Sequence, residues 1–275
     1  MTTRSFCMGG VCLHITHDAR ATDLSFFDPF SVGGPTPSWP SFSLLVEARD
    51  PVRTRPMGAA GHSKAVRFAR EAQTLRYVTT NVDATVRLGT RSARVTVGGP
   101  QALAGFLRFL LGLVLPQNEG LLLHAAGVVV DASSAAARGH VFMGPSGAGK
   151  STIGLLATQR GATLLGDEII ALRVHDGQAW VYGTPLGSRG GHSGHPGAAP
   201  LTTLAWLRQG PTHAFHQGSI RDAVPRLLAR TVALPEASDG EALLRAAQSI
   251  ATHARCGELT FALDPDFWSV LTASR

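Results

Sequence analysis

The sequence predicts an α/β fold preceded by a small β-rich region. Three observations carry that expectation. Gly144-Pro145-Ser146-Gly147-Ala148-Gly149-Lys150-Ser151 is a complete Gly-x-x-x-x-Gly-Lys-Ser run. It stands between the apolar His140 to Met143 and the helix-forming Thr152 to Ala157, the strand–loop–helix setting such a run needs. From residue 98 to 275, strand-length apolar runs alternate with stretches of helical period, whereas residues 1 to 97 carry strand and loop signals only.

In the first region, Phe42 to Val46 and Thr74 to Thr79 read as strands. Ala84 to Leu88 and Ala93 to Val97 alternate around the turn-prone Gly89-Thr90-Arg91, a hairpin pattern. Gly33 to Pro40 and Pro51 to His62 are loop-like. Gly98-Gly99-Pro100 breaks the strand pattern and opens a helix that ends near Leu115, before Pro116. Leu121 to Val130 is a candidate buried strand, followed by a loop from Asp131 to Gly139. Gly161 ends the helix after the Gly-rich run, and Ala162 to Leu172 is strand-like. His175-Asp176-Gly177 turns into Ala179 to Tyr182. Thr184 to Pro200 is too long and polar for a tight turn. Leu201 to Leu207 reads as a strand, Asp222 to Leu234 and Gly240 to His253 as helices, and Glu258 to Leu263 as a last strand. Asp264-Pro265-Asp266 caps a short terminal helix. No internal repeat is present. We place the boundary between a first region, 1–97, and a second, 98–275. The length of 275 residues suits one or two domains with ample core.

The Gly-rich run explains itself chemically. Its glycines let successive backbone N–H groups turn toward a polyphosphate at a helix N-terminus that already favours negative charge. Lys150 is expected to reach the β/γ-phosphates and the Ser151 hydroxyl to ligate Mg²⁺; Thr152 continues the phosphate-facing turn. Two of the 25 basic residues are lysines, Lys64 and Lys150, and the others are arginines. Lysine is thus kept where a compact ammonium fits and a broad guanidinium does not. An acid returns to this loop. Asp167 comes seventeen residues after Lys150. The helix travels about 15 Å outward and a strand of five residues about 16 Å back. A right-handed crossover is expected to bring that strand beside the one before the loop, with Asp167 and Glu168 at its phosphate end. Strand alternation would aim one of the two carboxylates at the γ-phosphate. Such an acid takes a proton from an attacking hydroxyl or holds Mg²⁺.

His124-Ala125-Ala126-Gly127, the Gly-rich loop, Arg160-Gly161 and Gly166-Asp167-Glu168 resemble the core of HPr kinase/phosphorylase, which is similar in fold to ATP-dependent phosphoenolpyruvate carboxykinase. The resemblance covers roughly residues 100 to 275. It is nearer still to the HPr-kinase-like proteins of bacterial peptide-biosynthesis clusters, some of which phosphorylate a serine at the end of a lasso-peptide precursor. Leu204 to Leu207, Leu227-Leu228, Leu259 to Phe261 and Phe267-Trp268 fit their later pattern. The resemblance implies an HPr-kinase-like catalytic domain, ATP and Mg²⁺ as cofactors, Asp167 as base and His124 near the transferred phosphoryl. It implies an acceptor hydroxyl on a serine of a peptide or protein. Two departures count against HPr itself and against reverse phosphorolysis. Glu168 stands where HPr kinase has a second Asp, and no Glu-Ile-Arg-Gly signature follows.

Other residues carry two readings. His124 is either near the phosphoryl or packed and bonded to backbone. Arg189, in Gly187-Ser188-Arg189-Gly190-Gly191, either closes on the γ-phosphate or is a solvated loop residue. His192 and His195 lack further ligands at metal spacing and read as solvated. Ser146 reads as structural, and Phe142, Met143, Ile153, Trp206 and Trp268 as core.

Composition narrows the classes. Hydrophobic content of 44% with 16% charged residues is that of a globular chain. The net charge of +6 suits a polyanionic ligand, but the arginines form no block or aromatic-interleaved stripe, which argues against nucleic acid. Three cysteines, Cys7, Cys12 and Cys256, without metal spacing suggest a reduced cytoplasmic chain. No signal-peptide pattern opens the sequence, and Ala102 to Leu115 is too short to span a bilayer. A homo-oligomer is compatible with the sequence. The expectation is therefore an ATP-dependent kinase acting on a serine-type hydroxyl, with residues 1–97 as a region for acceptor or partner. Two alternatives stand beside it: a small-molecule kinase, and a nucleotide-binding regulatory module without transfer.

Overall fold

The computed structural model describes residues 1–18, 23–32, 39–48, 67–187, 194–234 and 237–272. The fold is mixed α/β with two sheets. The chain divides into two compact units, one of residues 1–7 and 11–108, the other of residues 8–10 and 109–275.

The first unit holds β1 (Thr2–Met8), β2 (Val11–His17), β3 (Ser41–Ala48), β4 (Arg67–Glu71), β5 (Thr74–Thr79), β6 (Val82–Arg87) and β7 (Ser92–Val97). They form a seven-stranded sheet in the order β1-β2-β3-β7-β6-β5-β4. The expected β6–β7 hairpin is present, with Arg87 opposite Ser92. Alternation is strict: Phe42, Leu44 and Val46 of β3 and Ala93, Val95 and Val97 of β7 are buried, the period of a half-covered sheet. Helix α1 (Pro100–Val114) follows, and the division between the units falls within it at Arg108/Phe109. β1, β2 and β4 lacked a sequence signal strong enough to name them. Of the two loop-like stretches, most of Gly33 to Pro40 and all of Pro51 to His62 lie outside the described residues.

One cysteine expectation is corrected. Cys7 and Cys12 form a disulfide, and Cys256 alone is a free thiol. The two-residue turn Gly9-Gly10 between β1 and β2 places the cysteines directly opposite each other, their Cα atoms 4.2 Å apart. Cross-strand pairing thus makes partners of two residues whose spacing matches no metal motif.

The second unit holds β8 (Gly120–His124), β9 (Ala126–Val130), β10 (Arg138–Met143), α2 (Lys150–Thr158), β11 (Thr163–Gly166), β12 (Ile169–His175), β13 (Gln178–Gly183) and β14 (Ala198–Gln209). It continues with β15 (Ala214–Gln217), α3 (Ile220–Leu228), α4 (Gly240–Thr252), β16 (Arg255–Phe261) and α5 (Trp268–Thr272). The strand order is β11-β9-β10-β14-β13-β12-β8, with β16 joined to β14 and β15 to β16. β10 is buried on both faces. Val141 and Met143 join the core on the side of α3 and α4. Phe142 joins Ile153, Leu156 and Phe267 on the side of α2 and α5. A strand covered on both faces reads as a continuous apolar run, as it does here.

Four sequence expectations are revised. Leu121 to Val130 is two strands, not one: β8 pairs with β12 and β9 with β10 and β11. The chain changes partners at Ala125, whose N–H donates to Glu168 O at 3.2 Å. Ala162 to Leu172 is likewise two strands, broken at Asp167-Glu168. β11 does not lie beside β10, because β9 stands between them, antiparallel to both. The crossover skips one strand yet still delivers Asp167 to the loop end of the sheet. Helix α3 stops at Leu228 rather than Leu234. Its continuation instead pairs with the edge strand β8: His124 N donates to Arg230 O and Val232 N to Leu122 O. Satisfying an otherwise open strand edge outweighs further turns of helix.

Among the described residues, no helix is long and apolar enough to cross a membrane.

Candidate functional site

The Gly-rich loop leaves β10 at Met143 and enters α2 at Lys150. Gly149 is the residue before the helix, with φ of 95°, a left-handed conformation that penalises a Cβ. A Cβ there would also sit 2.7 Å from Phe261 Cζ. No side chain caps α2, so its first-turn N–H groups face the loop without a protein acceptor from the cap. Ser151 and Thr152 are exposed on that first turn, as are Pro145, Ser146 and Gly147 on the loop. The helix ends as expected: Gly161 has φ of 81°, and Ala162 N donates back to Ala157 O.

Lys150 is the central group. Its side chain folds back so that Nζ donates to Gly144 O and Pro145 O, both at 3.0 Å. The residue is only 8% exposed. Among the described residues it has no carboxylate in ion-pair contact. Burial, with the nearby Arg230 guanidinium second, holds its ammonium below the ordinary lysine range. A buried cation satisfied only by neutral carbonyls is poised for an anion, which would restore its basicity.

One cleft of about 600 Å³ gathers this loop and the acids. His124, at the end of β8, lines it with Ser146, Gly147, Gly149, Lys150, Ser151 and Thr152. So do Asp167 and Glu168. The two acids occupy a bend between β11 and β12, where strand alternation does not operate. Gly144 and Ala148 complete the loop, Gly144 buried at the strand end. The His124 imidazole is half-buried, and burial first, then Lys150, hold its pKa below the ordinary value. Glu168 and Asp167 oppose that shift and Arg230 reinforces it. His124 therefore lies within the electrostatic reach of all four groups. Arg189 and His192 lie outside the described residues.

The donor set fits a magnesium–nucleotide. Among the described residues, no cluster of three or more His, Cys, Asp or Glu side chains could cage a metal by itself. Mg²⁺ takes one or two protein ligands and completes its shell from phosphates and water. Ser151 and Asp167 are the residues that could provide them.

Sequence reasoning missed several groups. Gln209, at the end of β14, donates from Nε2 to Gly147 O at 3.0 Å and lines the cleft. β14 runs parallel to β10, with Trp206 beside Met143; residues just past Trp206 must therefore reach the loop, a signal visible only once the two strands are paired. Thr184 is 1% exposed and donates to Ile169 O at 2.7 Å, fixing the strand that follows Glu168. Arg230 is the third. It carries no motif and does not line the cleft, but its charge acts on His124 and Lys150, and its backbone O accepts from His124 N where the chain after α3 pairs with β8.

No family model matches the chain, and no curated protein matches it. Among solved structures, it is similar to the HPr(Ser) kinase/phosphatase from Coxiella burnetii, at 13% identity and a TM-score of 0.31. That alignment covers 55% of this chain and 91% of the other.

Proposed function

We propose that the protein is an ATP- and Mg²⁺-dependent kinase that transfers the γ-phosphoryl to a serine-type hydroxyl of a peptide or protein. One observation carries the reading: a buried lysine without a counter-charge and two carboxylates line the same cleft at the N-terminus of an uncapped helix. The loop from Gly144 to Thr152 holds the polyphosphate through backbone N–H groups, and Lys150 turns from its two carbonyls to the phosphate oxygens. ATP supplies the phosphoryl group; Ser151 and Asp167 would hold the metal. Asp167 orients or deprotonates the acceptor hydroxyl, and Glu168, in the same bend, supports it. His124 stays neutral beside Lys150 and lies near the transferred group. Arg230 adds a second positive charge where negative charge develops. Catalysis is then mostly positioning and charge stabilisation.

The peptide acceptor rests on the motif resemblance to HPr-kinase-like proteins of peptide-biosynthesis clusters. Residues 1–97 serve as the region for acceptor or partner. The test is mass spectrometry of serine-containing precursor peptides incubated with the protein and ATP·Mg²⁺. Gain of one phosphate on Ser supports the proposal. Phosphate on a metabolite alone favours a small-molecule kinase, and nucleotide binding without any acceptor-dependent turnover favours a regulatory module.

A further inference from the structure

A second cavity, of about 480 Å³, opens at the other end of β10. Arg138 and His140 line it from the strand, Arg160 from just past α2, and Asp266, Trp268 and Ser269 from the C-terminal segment. None of these residues lines the cleft at the Gly-rich loop. Along β10, His140 stands four residues, about 13 Å, from Gly144 at the start of the loop.

His140 is the unusual member. It is 3% exposed, and its Nδ1 has no hydrogen-bond partner among the described protein groups. Burial first, then Arg138, push its pKa to about 4, so the imidazole is neutral at physiological pH. Its strand neighbour in register is Thr203 of β14, whose buried hydroxyl also lacks a protein partner. Adjacent residues in register share a face of the sheet. The two atoms therefore lie on one face of the sheet, the face from which His140 lines this cavity. Trp268 meets the His140 ring edge-on, with centroids 5.1 Å apart. Val130, Ala162 and Pro265 supply apolar walls. At the mouth, Arg138 pairs with Asp131 at 3.1 Å and Arg160 with Asp266. Both arginines remain about half exposed, so each can turn toward an arriving anion.

We propose that this cavity is a second ligand site, for a small planar aromatic anion: the ring lies against Trp268 and the apolar walls, a polar atom meets His140 Nδ1, and the negative group meets Arg138 and Arg160. The volume is that of a small-molecule pocket. A flat ring suits a site walled by an indole, a hydrogen-bonding atom suits the unpaired imidazole nitrogen, and a carboxylate suits guanidinium forks.

The experiment uses the full chain labelled with ¹⁵N at histidine, titrated with benzoate and with indole-3-carboxylate. Benzamide serves as the uncharged control and cyclohexanecarboxylate as the non-aromatic one. The expected result is saturable movement of the His140 nitrogen resonances, with a Kd of about 1 mM or tighter for the aromatic carboxylates. Both controls should bind at least about tenfold more weakly. His140→Phe and Arg160→Gln should each weaken binding by a similar factor, and ATP·Mg²⁺ should not compete. Arg160→Gln changes a half-exposed side chain, so it keeps the test decisive if His140→Phe fails to fold. Absence of any saturable shift at His140, as when the cavity holds only water, overturns the proposal. So does binding indifferent to Arg160 and to ring planarity. Loss of phosphoryl transfer bears on the other cleft alone.

Discussion

At the C-terminal end of β10 the chain buries a charge; at the N-terminal end of the same strand it buries an uncharged polar atom. Lys150 keeps all its contacts with neutral carbonyls and waits for a counter-charge. His140 is driven neutral by burial and lacks a hydrogen-bond partner for Nδ1. The difference lies in backbone supply. After Met143 the chain leaves the sheet, and its loop carbonyls turn inward to hold an ammonium. At His140 the backbone is committed to the ladder with β9 and β14, so nothing local remains to satisfy the ring. A single strand thus shows two ways in which a fold stores an unmet demand for a ligand, one electrostatic and one directional.

The sharpest way to break this comparison is to disable the chemistry at the charged end. Asp167→Asn should lower kcat by about 10²–10⁴-fold while leaving ATP affinity within a few-fold, because the amide cannot accept the hydroxyl proton. Glu168→Gln should also lower kcat, by a smaller factor, now that both side chains line the cleft. Single-turnover transfer beside calorimetric ATP titration reads both; near-normal transfer by the Asp167 variant with a crippled Glu168 variant would reverse the assignment.

At the neutral end the expected readout is pH-dependent stability. The His140 pKa of about 4 lies below its ordinary 6.5, so the unfolded chain binds more protons between these values and stability falls as the pH drops through that window. The lost contribution is about 3 kcal/mol, fully present above pH 6.5 and gone near 4. Arg138, Arg160 and Asp266 line the same cavity; Arg138 acts in the same direction as burial. Denaturant melts at pH 7 and pH 4.5 should show this loss, and His140→Phe should flatten it. An unchanged slope in the variant assigns the loss to other groups.

Lys150→Ala should weaken ATP·Mg²⁺ by about 2 kcal/mol, roughly thirtyfold, with little change in melting temperature. Unchanged affinity would mean that the buried ammonium is not read by phosphate. The smallest effect should come from Gln209→Ala, which removes one neutral hydrogen bond to the loop. About 1 kcal/mol, or fivefold, in nucleotide affinity is expected, measurable by the same titration.

Much of the site is legible in the chain alone. Residues 144 to 151 dictate a turn of glycines into a helix start, and the count from Lys150 to Asp167 dictates a return to the same end of the sheet. These are local constraints: φ at Gly149, the C-terminal glycine at Gly161, and fixed rises per residue. The β6–β7 and β12–β13 hairpins and α4, capped by Asp239, are legible for the same reason. Tertiary structure alone decided the rest. It split two apolar runs at Ala125 and at Asp167-Glu168, because each half met a different partner strand. It cut α3 short to cover the edge of β8, which set Arg230 within electrostatic reach of His124 and Lys150, and it brought Gln209 to the loop through the parallel pairing of β14 with β10. It also joined Cys7 to Cys12 and stranded His140. An apolar run in a sequence records that a segment is buried, but which strand it pairs with is a non-local choice, made by whichever neighbours satisfy its backbone hydrogen bonds.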